Sequence, residues 1–188
     1  LLEEHYAAKF PLHAVARTGD VDAMTRLLDD GAAIDQTTEN GTTPLWIACE
    51  HGHADLARLL LERGAEVDRA MKNGQTPLII ACRNGQVDAA RLLLENGAEV
   101  DRANKNGATP LYVACKNGHV DLARLLLERS ANVDQTRGDG ATPLFVACEG
   151  GHVDAARLLL EHGAVLDEHG SSALYEGAAV EVLSLIHI

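Results

Sequence analysis

The chain has 188 residues with 28 acidic and 16 basic side chains, and most of the acidic excess lies in residues 1–40 and 140–188. Because the charges in residues 41–139 nearly balance, the sequence offers no basic face for nucleic acid and predicts no nucleic-acid partner. No apolar run reaches the roughly 20 residues of a membrane-spanning helix, and the first residues do not resemble a signal peptide, so we expect no membrane contact.

A sequence of 33 residues recurs four times without a gap, and this period organises the chain. The regular copies are residues 41–73, 74–106, 107–139 and 140–172, and 16 of the 33 positions are identical in all of them. A tandem period of this length is typical of a solenoid, in which stacked units bury a core that one unit cannot bury alone.

The chain begins with an unassigned lead-in, residues 1–7, followed by a divergent repeat over residues 8–40. This repeat contains the triplet Pro11-Leu12-His13 and a Leu-Leu pair, so it follows the regular copies in outline. Its second helix is acidic. That composition suits an N-terminal cap with a polar outer face, but it fits a truncated array equally well.

The copy at residues 74–106 shows the elements that all regular copies share. Thr76 is a good N-cap and Pro77 fits the first position of a helix, which predicts a short helix from Pro77 to about Arg83. Gly85 is expected to end it in a left-handed conformation. A second helix is predicted from Val87 to Glu95, with its leucines on the buried side, and a polar finger then closes on an Asn-Gly turn.

One regular copy departs from the others at the end of its second helix. Ser130 stands where the other copies have Gly64, Gly97 and Gly163. A left-handed conformation costs a non-glycine residue about 1 kcal/mol, so the sequence predicts that Ser130 is the weakest local joint.

The motifs Gly-x-Thr-Pro-Leu at the first helix and Leu-Leu-x-x-Gly-Ala after the second resemble the ankyrin repeat, from Ala8 to about Leu183. The resemblance implies an all-α ankyrin-repeat solenoid of stacked helix-turn-helix units with β-hairpin-like finger loops. It also implies a non-catalytic scaffold for protein–protein interaction. On this basis we expect a monomer that binds a protein partner of unknown identity and needs no cofactor or metal. Because the sequence shows neither a signal peptide nor a membrane span, we expect a cytoplasmic protein. A nuclear location stays open.

Ankyrin repeats usually contact their partners along a concave surface made of finger tips and first helices. The resemblance therefore implies two sets of partner-binding residues. On the fingers these are Lys72, Asn73, Lys105, Asn106, Gly138 and Asp139, and on the first helices they are Glu50, His51, Arg83, Asn84, Lys116, Asn117 and Glu149. The charge at one first-helix position alternates as Glu, Arg, Lys, Glu, which a complementary partner could match. Drift on a solvated surface explains the same pattern equally well.

A further column of candidates follows the Thr-Pro-Leu motif, where the family pattern has His. The residues in this column are Trp46, Ile79, Tyr112 and Phe145, and only the divergent repeat keeps the histidine, as His13. In the family this histidine ties adjacent repeats by hydrogen bonds, so its loss puts that network in doubt. The large side chains either pack between repeats or form an aromatic ladder open to the groove, and the second interpretation adds them to the predicted partner-binding residues.

Cysteine and histidine also recur with the period. The cysteines are Cys49, Cys82, Cys115 and Cys148. Packed helices lie ~8–10 Å apart, whereas the Cα atoms of a disulfide lie within ~7 Å, so we interpret these cysteines as small buried hydrophobes. His53, His119 and His152, with Gln86 in the remaining copy, suit a hydrogen bond between turns.

Two groups contain residue types that bind metals, but neither predicts a site. In Cys49-x-His51-x-His53 the cysteine should point inward while His51 points to the groove, which separates the ligands. The second group, His162 with Asp167, Glu168 and His169, is expected to be a solvated finger.

Motifs of catalysis are missing from the sequence. It has no phosphate-binding glycine loop followed by Lys and no Gly-x-Ser-x-Gly, and its Asp and Glu residues recur with the period, as structural charges do. Two alternatives to an autonomous interaction module stay open: a recruiting or regulatory arm of a larger kinase or ubiquitin-ligase type enzyme, and a structural spacer in a longer array. We expect the chain to be a fragment. Residues 173–188 are expected to be a partial or degenerate repeat, and our hypothesis is that the last six, 183–188, are not native.

Overall fold

The structure, a computed structural model, describes residues 8–165. Ten helices follow one another between Pro11 and Glu161, and no strand occurs in the described range, so the all-α prediction is confirmed. The first helices of the repeats are α1 Pro11–Thr18, α3 Pro44–His51, α5 Pro77–Arg83, α7 Pro110–Lys116 and α9 Pro143–Glu149. The second helices are α2 Val21–Asp29, α4 Ala54–Glu62, α6 Val87–Glu95, α8 Val120–Glu128 and α10 Val153–Glu161.

The chain divides into two compact units, Leu1–Glu99 and Val100–Ile188. In the first unit, helices α1, α3 and α5 pack in succession, and helices α2, α4 and α6 do the same beside them. In the second unit α7 packs on α9 and α8 packs on α10. Within each unit the helix-turn-helix repeats therefore stack as the sequence predicts. The predicted C-terminal repeat, residues 173–188, lies outside the described residues.

Threonine begins every regular first helix, as predicted. The hydroxyl oxygens of Thr43, Thr76, Thr109 and Thr142 each accept a hydrogen bond from the backbone N–H three residues later, at 3.1–3.2 Å. A proline at the first helical position follows each of them. The divergent repeat lacks this cap, because Phe10 precedes α1 and makes no side-chain cap bond.

The core is built from the small and branched residues of both helices. Helix α6 buries Ala89, Ala90, Leu92 and Leu93, whereas helix α2 of the divergent repeat buries only Met24. All four cysteines are buried, which confirms their interpretation as small hydrophobes of the core. Burial raises the pKa of the Cys115 thiol to about 12 and that of Cys148 to about 11, so both stay protonated at neutral pH.

The finger loops differ in detail from the predicted Asn-Gly turn. In the first finger the N–H of Gly41 donates to the carbonyl of Thr38 at 2.9 Å, and the N–H of Thr38 donates to the carbonyl of Thr42 at 3.1 Å. Gly41 has φ +84°, while Asn40 is not in the left-handed region. This is the pattern of a three-residue hairpin loop that ends in a left-handed glycine, so only the glycine needs a positive φ.

Ser130 adopts the left-handed conformation that its position predicts. Its φ is +65°, and it is the only non-glycine residue with a positive φ among residues 8–165. The equivalent glycines Gly64, Gly97 and Gly163 have φ between +86° and +91°. The serine therefore keeps the glycine conformation and bears its steric cost.

Candidate partner-binding surface

Adjacent fingers are joined at their tips by a main-chain hydrogen bond. In the first unit the N–H of Lys72 donates to the carbonyl of Asn40 at 2.8 Å. In the second unit the N–H of Gly138 donates to the carbonyl of Asn106 at 3.0 Å. Because the bond uses no side-chain atom, the sequence carried no signal for it. Within each unit these bonds fix the spacing of neighbouring finger tips.

A recurring aspartate ties the base of each finger to the next. Its carboxylate accepts a hydrogen bond from the backbone N–H 31 residues later, at 3.0–3.1 Å. The pairs are Asp35 with Glu66, Asp68 with Glu99, Asp101 with Asn132, and Asp134 with Val165. The sequence analysis interpreted these acids as structural because they recur with the period, and the bonds confirm that interpretation.

Histidine joins the turns of successive repeats, as predicted. The Nε2 atom of His53 lies 3.1 Å from the carbonyl oxygen of Arg17. His152 repeats the contact with Lys116 O at 3.1 Å. In the copy that carries Gln86, the glutamine side chain lies close to Gly52 instead. The contact anchors the C-terminal end of the preceding first helix, where predicted partner-binding residues are located.

The polar residues predicted to bind a partner lie at the surface. Glu50 is half-exposed, and the others are exposed: His51, Lys72, Asn73, Arg83, Asn84, Lys105, Asn106, Lys116, Asn117, Gly138, Asp139 and Glu149. Several of their side chains also make local bonds. Asn84 donates to the carbonyl of Glu50 at 2.8 Å, and Asn117 donates to the carbonyl of Val113 at 2.7 Å. Asn84 therefore helps to join two repeats, which the sequence did not predict.

The family histidine retained as His13 makes the inter-repeat bond that the resemblance implies. Its Nε2 atom lies 2.9 Å from the carbonyl oxygen of Thr42 in the next repeat, and the ring is fully buried. Burial, with a smaller contribution from the charge of Arg17, lowers the pKa of His13, although the Thr42 bond opposes this shift. The imidazole is therefore held neutral at physiological pH.

A family model described as ankyrin repeats (3 copies) matches residues 1–71, 68–137 and 130–185. The chain belongs to the ankyrin repeat family. A comparison with curated proteins gave no match. Ankyrin repeats are generally protein–protein interaction modules and are typically non-catalytic.

These ankyrin repeats bury most of the column that replaces the family histidine. The side chains of Trp46, Ile79 and Tyr112 are 7%, 0% and 3% exposed, so an aromatic ladder open to the groove is not formed at these positions. The alternative interpretation, packing within the repeat stack, describes all three. Phe145 is half-buried and stays a predicted partner contact. The sequence could not decide between the two, because both use large apolar side chains at the same helical position.

The ankyrin repeats bring no three metal-binding side chains together within residues 8–165. Cys49 is fully buried, whereas the rings of His51 and His53 stack in parallel with centroids 5.9 Å apart. His162 bonds to the carbonyl of Leu158, and the other members of its predicted cluster lie outside the described residues. None of the helices in the described range is long and apolar enough to cross a membrane.

Proposed function

We propose that this ankyrin repeat protein binds a partner protein through its finger tips and the C-terminal ends of its first helices, without chemistry of its own. The observation that carries the proposal is the main-chain bond between adjacent finger tips, Lys72 to Asn40 in one unit and Gly138 to Asn106 in the other. A tip fixed by its backbone displays its side chains without ordering the loop on binding. Association then loses less conformational entropy than it would with a mobile loop.

We call the exposed polar residues of these tips and helix ends the finger surface of each unit: His51, Lys72, Asn73, Arg83 and Asn84 in the first unit, and Lys105, Asn106, Lys116, Asn117, Asp139 and Glu149 in the second. Trp46, Ile79 and Tyr112 support this surface from the core and are not among its proposed contacts. The surface carries both signs of charge. Such a mixture favours recognition by electrostatic complementarity, which sets partner choice and association rate more than affinity.

The proposal is tested by capturing binding proteins with the full chain and comparing two charge-reversal variants. Lys105→Glu alters the finger surface, and Arg91→Glu makes the same change in charge on the exposed side of helix α6. We expect Lys105→Glu to reduce recovery of a specifically captured partner, and we expect Arg91→Glu to leave recovery unchanged. Loss with Arg91→Glu alone would place the binding surface on the second helices and overturn the proposal.

We further propose that the protein acts as a monomer in the cytoplasm. Acidic overall charge keeps a repeat protein soluble and separate from its copies, and the sequence carries 12 more acids than bases. Light scattering of the full chain tests the first part, because a monomer predicts a mass near 20.0 kDa at all concentrations. Imaging of the tagged protein tests the second.

A further inference from the structure

A groove lies between two adjacent fingers of the second unit, residues 104–107 and 137–139. The fingers approach closely, because the N–H of Gly138 donates to Asn106 O at 3.0 Å. The position of Gly138 is occupied by Lys72 and Lys105 in two other fingers. Glycine adds no side chain at this position of the groove, which Lys105, Arg137 and Asp139 also line.

The charge of this groove differs from that of the whole chain. Lys105 and Arg137 contribute two positive charges, and Asp139 contributes one negative charge. The groove therefore carries a net positive charge within a chain whose formal charge is −12. Such a local excess of positive charge attracts acidic groups to this part of the surface.

Arg137 is oriented before any ligand arrives. Its Nη1 atom donates to the Tyr112 hydroxyl at 3.3 Å and lies 3.4 Å from Asp139 Oδ2. The guanidinium carbon lies 5.9 Å from the centre of the Tyr112 ring. Both polar contacts engage Nη1, whereas a guanidinium has five N–H donors in a planar fork, so donors are left for an incoming carboxylate.

We propose that this groove binds an acidic side chain, Asp or Glu, of the partner protein, with its carboxylate paired to Arg137 and Lys105. The inference rests on the proposed function and specifies the partner's chemistry at one pair of fingers. Tyr112 is a positioning residue, since its buried ring and hydroxyl hold the guanidinium at the rim. Asp139 opposes binding, because it competes for Arg137 and repels the incoming carboxylate.

The test uses two blocked peptides, one of alternating Gly and Glu and one of alternating Gly and Gln, titrated into the isotopically labelled full chain. Backbone amide shifts in NMR spectra locate binding, and their concentration dependence gives Kd. We expect the glutamate peptide to shift the amides of residues 104–107 and 137–139, and we expect weaker binding as salt is added. The glutamine peptide should leave these amides unchanged.

Four variants separate the roles of the groove residues. Arg137→Gln should raise Kd for the glutamate peptide by about tenfold, the size of one lost charged hydrogen bond. Asp139→Asn should lower Kd, because the competing charge is removed while Oδ1 still accepts from the N–H of Ala141. Tyr112→Phe should raise Kd less than Arg137→Gln does, since the ring remains and only the orienting hydroxyl is lost. Arg91→Gln, the same change on the exposed side of helix α6 and outside the finger surface, is the control.

Equal binding of both peptides, tighter binding after Arg137→Gln, or a Kd for Asp139→Asn above that of the unmodified chain would overturn the inference. Amide shifts confined to other residues would overturn it as well. These results do not decide the proposed function, which depends on whether Lys105→Glu loses a captured partner. If the glutamate peptide fails while that capture still depends on Lys105, the finger surface binds a partner of different chemistry.

Discussion

The imidazole of His152 lies directly against Gly118, and its Nε2 atom is 3.1 Å from the carbonyl oxygen of Lys116. A Cβ placed on Gly118 would lie 2.5 Å from His152 Nδ1, a separation that no side chain tolerates. Gly118 therefore serves two needs, a φ of +71° and the space for the ring.

Gly118→Ala should destabilise the protein more than Gly64→Ala does. Both glycines have positive φ, but nothing lies within 4 Å of a Cβ at Gly64. We expect about 1–2 kcal/mol from the backbone at either site and a further 1–3 kcal/mol from the displaced His152 ring at Gly118. Urea unfolding measures both losses. The added loss should shrink when His152→Ala accompanies Gly118→Ala, and additive losses would contradict the contact.

Ser130→Gly should stabilise the protein by about 0.5–1 kcal/mol, because glycine adopts φ +65° without steric cost. The reverse change, Gly97→Ser at the equivalent position, should lose a similar amount. Thermal or urea unfolding of the two variants checks the pair. A loss of stability in Ser130→Gly would mean that the serine compensates its strain through a contact of its own.

Thr109→Ala should lower the free energy of unfolding by about 1–2 kcal/mol, since it removes the buried hydroxyl that caps helix α7. Thr109→Ser keeps the hydroxyl and should recover most of the loss. Comparison of the two variants by urea unfolding separates the hydrogen bond from the packing of the methyl group. Equal losses would assign the effect to packing.

Because of His13, the free energy of unfolding should fall as the pH drops below about 6.5, which is the ordinary pKa of histidine. Its pKa is lowered in the folded chain by burial, so the unfolded chain takes up the proton first and gains stability relative to the fold. Above that pH both states are neutral at His13 and the effect disappears. The difference between the urea midpoints of the unmodified chain and His13→Gln should stay constant from pH 8 to about pH 6.5 and change only between there and pH 5. Parallel curves would contradict this prediction.

Local chemistry explains why the helices could be predicted closely from the sequence. Helix α5 runs from Pro77 to Arg83 as expected, because Thr76 and Pro77 define its start through short-range contacts. Gly85 adopts φ +74° just beyond its end. The left-handed Ser130 was predictable for the same reason, since its repeat position requires that conformation whatever residue occupies it.

Contacts between repeats were predicted less completely. The tip bond from Lys72 to Asn40 involves main-chain atoms, so no residue type indicates it. The burial of Trp46 depends on how the repeats stack and not on its own helix, which leaves its direction undecided in the sequence. The bond between Tyr112 and Arg137 joins residues 25 positions apart, and the repeat pattern contains no equivalent pair. Such side-chain pairs require the assembled backbone.

The tip bond has a consequence for how this protein can change over generations. Lysine at position 72 and glycine at position 138 donate the same bond, so folding places little demand on the side chain at the tip. Mutation can therefore explore new tip residues while the repeats stay folded, with proline excluded because it lacks the N–H. The residues that keep the repeats folded and the tip residues that contact a partner are therefore largely different. A lineage can exchange one partner for another without first losing a stable protein.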